Sequence, residues 1–431
     1  MLIKNKIILI FITLIMLASI ITIITTQRSN PDKQFYKNKL SLATDCMTSK
    51  DPINPFNSKK YNTNSDKTKD IMPFQRIQCA IDIYGEPKNL TQLNMMIETL
   101  VEYSNDNPYI RNICHDILHE MGIKAWKNYQ DKILKTNYYS CGMGFIHGAF
   151  SQAFSDKSNQ NKNLTLLSDF CDMVSTKDIN KNDSCIHGIG HGIGNHNYPI
   201  LKQLEICEQI KSKFKNLRII TSCLSGSFNQ FFYLKTKTNS GDIKNSVKYC
   251  DSLINTEILE CYKFALMYTN LPGNELKEYC QSINEEIAYH NYKYYGCYEA
   301  VAMSFIHNDL YTSIDPGGYD LISNVEKITQ YSNNLCGDMS ILTNKEISDL
   351  SKNDEKIKQA FGNETERYYQ SYFKYNSCLH RYYSELYEKV LNYEIFKNIC
   401  DQTKLEENFI CNNIAEMSKT LNYLEQPKNK I

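Results

Sequence analysis

The chain has 431 residues and equal numbers of basic and acidic side chains, 48 of each, so its formal net charge is zero. No basic arm or stripe stands out, which argues against a nucleic-acid partner. With 17 glycines and 10 prolines, turn formers are sparse for this length, and helices are favoured over a turn-rich sandwich.

At the N-terminus, Lys4 and Lys6 precede an apolar run from Ile7 to Ile24, broken only by Thr13, Ser19 and Thr22. An apolar run of about 18–20 residues can span a bilayer as a helix. A cleaved signal peptide would have a shorter core and a small-residue cleavage site. The one small pair, Ala18-Ser19, lies inside the run. Residues 1–27 therefore read as a signal anchor, with a cleaved signal as the alternative. Both send the remaining chain out of the cytoplasm, so the expectation is a single-pass membrane protein whose bulk faces the periplasm or cell exterior. Residues 28–72 are polar, with Asp51-Pro52 and Asn54-Pro55, and read as a flexible stalk with one pinned point at Cys46. The folded domain is expected over 73–431.

Sixteen cysteines, an even number in an exported chain, read as a disulfide framework. No CxxC occurs, which removes the commonest zinc-ribbon, thioredoxin-like and c-type haem readings. Cys141, Cys185, Cys223, Cys261 and Cys297 form a ladder with steps of 44, 38, 38 and 36 residues. All but the first have a partner 11 to 17 residues upstream, and Cys400 and Cys411 repeat the shortest form. Such a period belongs to helical hairpins that stack to hide each other's apolar faces. It resembles that of tetratricopeptide and Sel1-like repeats, although their Trp-x-x-Leu-Gly pattern is absent and the single tryptophan is Trp126.

The expected fold is all-α: disulfide-stapled antiparallel helical-hairpin repeats, solenoid-like, behind one transmembrane helix. In each unit the first helix ends just past its cysteine and the second begins at its partner. The staples are Cys171–Cys185, Cys207–Cys223, Cys250–Cys261, Cys280–Cys297 and Cys400–Cys411. Closing a loop of about 15 residues this way is worth about 3 kcal/mol in the chain-entropy model. Cys114–Cys141, Cys336–Cys378 and Cys46–Cys79 complete the set less securely. The charged segment 340–366 reads as a long insertion.

Six of the nine histidines lie between His115 and His196. His115 and His119 are four apart, as are His187 and His191, and on a helix that spacing shares a face. Aligned on Cys141 and Cys185, His147 matches His191, and Asn229 holds the same place after Cys223. These three should form a row across stacked repeats. We therefore expect His119, His147, His187 and His191 to converge on one polar pocket, with His115 joining or orienting them. Imidazoles so arranged suit a transition metal such as zinc, copper or iron. Asp116 and Glu120 are the candidate base or outer acceptors. His196, His290, His307 and His380 read as structural.

Gly188, Gly190, Gly192 and Gly194 alternate through the last histidine pair, each costing a helix about 1 kcal/mol relative to alanine. The stretch still reads as helix, provided close packing or a ligand offsets that cost. Tyrosines are unusually many, 31 in all, and cluster at Tyr292–Tyr298 and Tyr368–Tyr383. They carry the competing reading, a non-enzymatic scaffold that binds a protein partner through tyrosine-rich repeat surfaces. Phosphate loops, G-x-S-x-G elbows and kinase motifs are absent.

Overall fold

A computed structural model describes residues 31–48, 73–135, 141–154, 160–175, 179–213, 218–236, 243–253, 255–269, 271–283, 292–306, 325–336, 377–390, 393–403, 408 and 410–416. All the regular structure among them is helical, with no strand. None of these helices is long and apolar enough to cross a membrane. The expected anchor at residues 7–24 lies outside the described residues, as does the insertion at 340–366.

The first helix corrects the expected stalk. α1 (Pro31–Thr48) starts on a proline, tolerated in the first turn where its missing N–H has no intrahelical partner. It buries Tyr36, Leu40, Ala43 and Met47 along one stripe and packs on α2 (Pro73–Tyr84) and α3 (Leu90–Asp106). Arg76 donates from Nη1 to the carbonyls of Cys46 and Met47, at 3.2 and 2.9 Å. These carbonyls end the helix and would otherwise lack partners. Residues 31–48 thus belong to the folded body, which begins well before residue 73; residues 49–72 lie outside the described set.

α4 (Pro108–Tyr129) follows, capped by Asn107, whose side chain accepts from the Ile110 amide. After it come α5 (Gly144–Ala153), α6 (Gln160–Ser175), α7 (Ile179–Asn195), α8 (Ile200–Lys213), α9 (Arg218–Thr236), α10 (Ile243–Val247) and α11 (Asn255–Met267). The rest are α12 (Gly273–Ser282), α13 (Tyr292–Ser304), α14 (Val325–Cys336), α15 (Ser377–Val390) and α16 (Tyr393–Asp401). Two layers result. α4, α5, α7, α9, α11, α13 and α15 pack side by side in that order, and α15 also reaches α4. The inner helices therefore close a circuit instead of running on as an open solenoid. The other helices back them from outside: α3 on α4, α6 on α7, α8 on α9, α10 on α11, α12 on α13 and α16 on α15.

Eight disulfides tie the layers. Cys171–Cys185, Cys207–Cys223, Cys250–Cys261, Cys280–Cys297 and Cys400–Cys411 join successive helical segments. Cys46–Cys79, Cys114–Cys141 and Cys336–Cys378 complete the set. In the four hairpins from Cys171 to Cys297, the second cysteine lies more than a turn inside its helix, not at its start as the hairpin reading had it. The staple thus grips the body of the inner helix.

Glycines set how closely the inner helices approach. A methyl group built on Gly148 would lie 1.7 Å from the His119 carbonyl oxygen, and one on Gly226 would lie 1.9 Å from that of His187. Gly190 and Gly192 of α7 meet α9 and α5 in the same way, at 2.1 Å from the Cys223 carbonyl and 2.8 Å from the Phe150 carbonyl. Backbone-to-backbone contact is what offsets the helix cost of the alternating glycines.

The described members of the tyrosine clusters are core. Tyr292, Tyr294, Tyr295, Tyr298, Tyr382 and Tyr383 are all buried, while Tyr368, Tyr369, Tyr372 and Tyr375 lie outside the described residues. These six cluster tyrosines offer no exposed surface to a partner.

Candidate metal centre

Three neighbouring inner helices bring five imidazoles together: His115 and His119 from α4, His147 from α5, and His187 and His191 from α7. Ring centroids are 4.8 Å apart for His187–His191, 5.2 Å for His147–His187 and 5.4 Å for His147–His191. Tetrahedral ligation at a metal–nitrogen distance of about 2.0–2.1 Å places imidazole centroids about 5.2 Å apart. One donor nitrogen from each of these three histidines lies within 4.8 Å of the others.

Hydrogen bonds decide which nitrogen each ring can offer. His147 Nε2 lies 3.0 Å from the Ser184 carbonyl oxygen. A carbonyl only accepts, so Nε2 carries the proton and Nδ1 the lone pair. That Nδ1 is buried and has no hydrogen-bond partner among the described residues. His191 donates from Nδ1 to Gln230 Oε1 at 3.2 Å, leaving its Nε2 lone pair 3.1 Å from His187 Nε2. Tetrahedral donors stand about 3.3 Å apart, so this pair is already at chelating distance. In the metal-free protein His187 keeps its proton on Nε2 and donates it to His191. Outward hydrogen bonds that fix tautomer and ring orientation are characteristic of metal-ligating histidines.

Electrostatics keeps the rings neutral, as ligation requires. Burial holds His119, His147 and His187 well below the ordinary imidazole range, and neighbouring imidazoles push the same way. Lys263 and Arg381 add to the effect at His187. His191 is lowered to about 4, chiefly by burial, against the Gln230 hydrogen bond. His119, His187 and Tyr268 keep partial accessible surface.

The row expected for His147, His191 and Asn229 is realised only for its first two members. Asn229 instead accepts from the Tyr268 hydroxyl, and the next residue, Gln230, meets His191. Neither carboxylate candidate joins the three-histidine group. Glu120 lies 3.9 Å from Lys124, which also holds Glu86 at 2.9 Å, near the α2–α3 connection. Asp116 lies near enough to Tyr268 to help push its hydroxyl above the usual phenol range, behind burial and Tyr233.

A buried ionic group on the same circuit escaped sequence reading. Lys263 Nζ bridges Glu260 and Glu299 at 2.6 and 3.2 Å, and Arg381 pairs with Glu385. A signal was present: Lys263 and Glu299 stand two residues after their staple cysteines, as His187 does after Cys185. Comparison with protein-family models, curated proteins and solved structures finds no match to this chain.

Proposed function

We propose that this protein binds a transition-metal ion, zinc, copper or iron, through His147, His187 and His191. The observation that carries this reading is the convergence of three donor nitrogens within 4.8 Å of one another. Three protein ligands leave a fourth position open to water or a substrate, as catalytic sites do. The burial of Tyr292, Tyr294, Tyr295, Tyr298, Tyr382 and Tyr383 favours this reading over the protein-binding scaffold. The apolar run at residues 7–24 and the complete pairing of the cysteines support placing the domain outside the cytoplasm on a membrane anchor. Elemental analysis of protein purified without a histidine tag tests the metal reading. Bound metal is expected in the wild type and lost in a His147→Ala/His191→Ala variant. A folded wild type that takes up no transition metal under replete conditions overturns it.

A further inference from the structure

We propose that the cluster holds two transition-metal ions, the second on His115 and His119; this rests on the metal-binding reading of the other three histidines. The five rings form two polygons that share an edge. His187 closes a triangle on His147 and His191 and makes no ring contact with His115 or His119. On the other side of the shared edge, His115 lies 5.2 Å from His147, His119 lies 5.9 Å from His191, and the two α4 rings are 6.3 Å apart. The triangle has the spacing of ligands to one ion. The four-sided face beside it brings His115 and His119 next to those ligands, and paired ions bridged by a hydroxide or water stand about 3.5–4 Å apart.

His115 is prepared as a ligand in the same way as His147. Its Nδ1 lies 3.0 Å from the Cys141 carbonyl oxygen, so Nδ1 is the protonated nitrogen and Nε2 carries the lone pair. His119 meets the rings of His115 and His191 and makes no side-chain hydrogen bond among the described residues. The backbone explains the placement. Gly144 and Gly148 press α5 against α4 at the carbonyls of His115 and His119 themselves, where added methyls would lie 2.4 and 1.7 Å away. Both α4 histidines are thereby held beside His147. A bridging hydroxide or water, with further water, would complete the second ion's shell.

The test uses full-length, tag-free protein stripped with a chelator, reloaded with Cu(II) and desalted. Total copper is measured by mass spectrometry and paramagnetic copper by electron paramagnetic resonance. Two ions per chain are expected, with a spin count well below total copper because adjacent Cu(II) ions couple. A His115→Ala/His119→Ala variant should bind one ion per chain with full spin count. If that variant does not fold, His119→Gln is used, and the wild-type spin count decides independently. One uncoupled ion per wild-type chain overturns the second site and leaves the first. No ion overturns both. Two ions retained in a folded variant overturn the assignment to His115 and His119.

Discussion

Acidifying the metal-free protein from about pH 7 to about pH 5 probes the buried imidazoles directly. His191 is lowered from 6.5 to about 4 because burial disfavours its charged form. Between those two values the unfolded chain binds a proton that the folded chain refuses, so stability is present at neutral pH and falls as pH falls. At about 1.4 kcal/mol per pH unit, this residue costs about 2 kcal/mol by about pH 5 and about 3 kcal/mol by about pH 4. His380 on α15, also lowered to about 4 by burial and by Arg381, repeats the loss. His119, His147 and His187 act in the same direction. The two residues with stated values alone remove about 4 kcal/mol, a large part of a net stability of about 5–15 kcal/mol. Urea unfolding followed by circular dichroism, with disulfides intact and chelator present, should show the midpoint falling steadily below about pH 6.5. A His380→Gln variant should lose about one proton's worth of that slope. A midpoint constant down to about pH 5 would refute the burial of these imidazoles.

Three other outcomes are expected. Gly148→Ala should destabilise the protein by about 1–3 kcal/mol or more despite its better helix propensity, because the added methyl meets the His119 carbonyl; a thermal melt that rises would contradict the α4–α5 contact. Lys263→Met should cost about 3–5 kcal/mol by stranding Glu260 and Glu299, and Lys263→Met/Glu299→Leu should recover part of it; chemical unfolding of both variants decides. Replacing Cys171 and Cys185 by serine should cost roughly 3 kcal/mol, and non-reducing peptide mapping should find the other seven bonds unchanged.

The staples were legible because each repeats at one place in a repeated unit, so spacing alone proposed Cys171–Cys185 and its fellows. The histidine cluster was legible for a related reason: two H-x3-H pairs and one histidine in cysteine register can reach one point only if their helices are neighbours. Ring closure was not legible, because the approach of α15 to α4 joins residues more than 250 positions apart and leaves no local pattern. The polar sequence of α1 hid its role. Its four buried stripe residues are diluted among Lys33, Gln34, Lys37, Asn38 and Lys39, and its weak amphipathicity became visible only once α2 and α3 covered the stripe. Composition left the role of the tyrosines open between a wet-edged core and an interface. A phenol counts as an interface residue in statistics, but Tyr382 donates to the buried Ile328 carbonyl at 3.0 Å and serves as core.

Staples, glycines and histidines answer one geometric requirement. Imidazoles from three helices can share an ion only if their backbones come close enough for short side chains to meet, and Gly144, Gly148, Gly188 and Gly226 provide that approach. Glycine-rich helices are weak by themselves, and α7 carries four glycines within seven residues, from Gly188 to Gly194. The disulfides Cys114–Cys141, Cys171–Cys185 and Cys207–Cys223 anchor α4, α5, α7 and α9 within the very stretch where this weakness is concentrated. The fold therefore places covalent ties where close packing for the site has reduced intrinsic helix stability. On the proposed metal reading, these cross-links hold the histidines near each other in the metal-free protein, so stripping the ion should leave the domain folded.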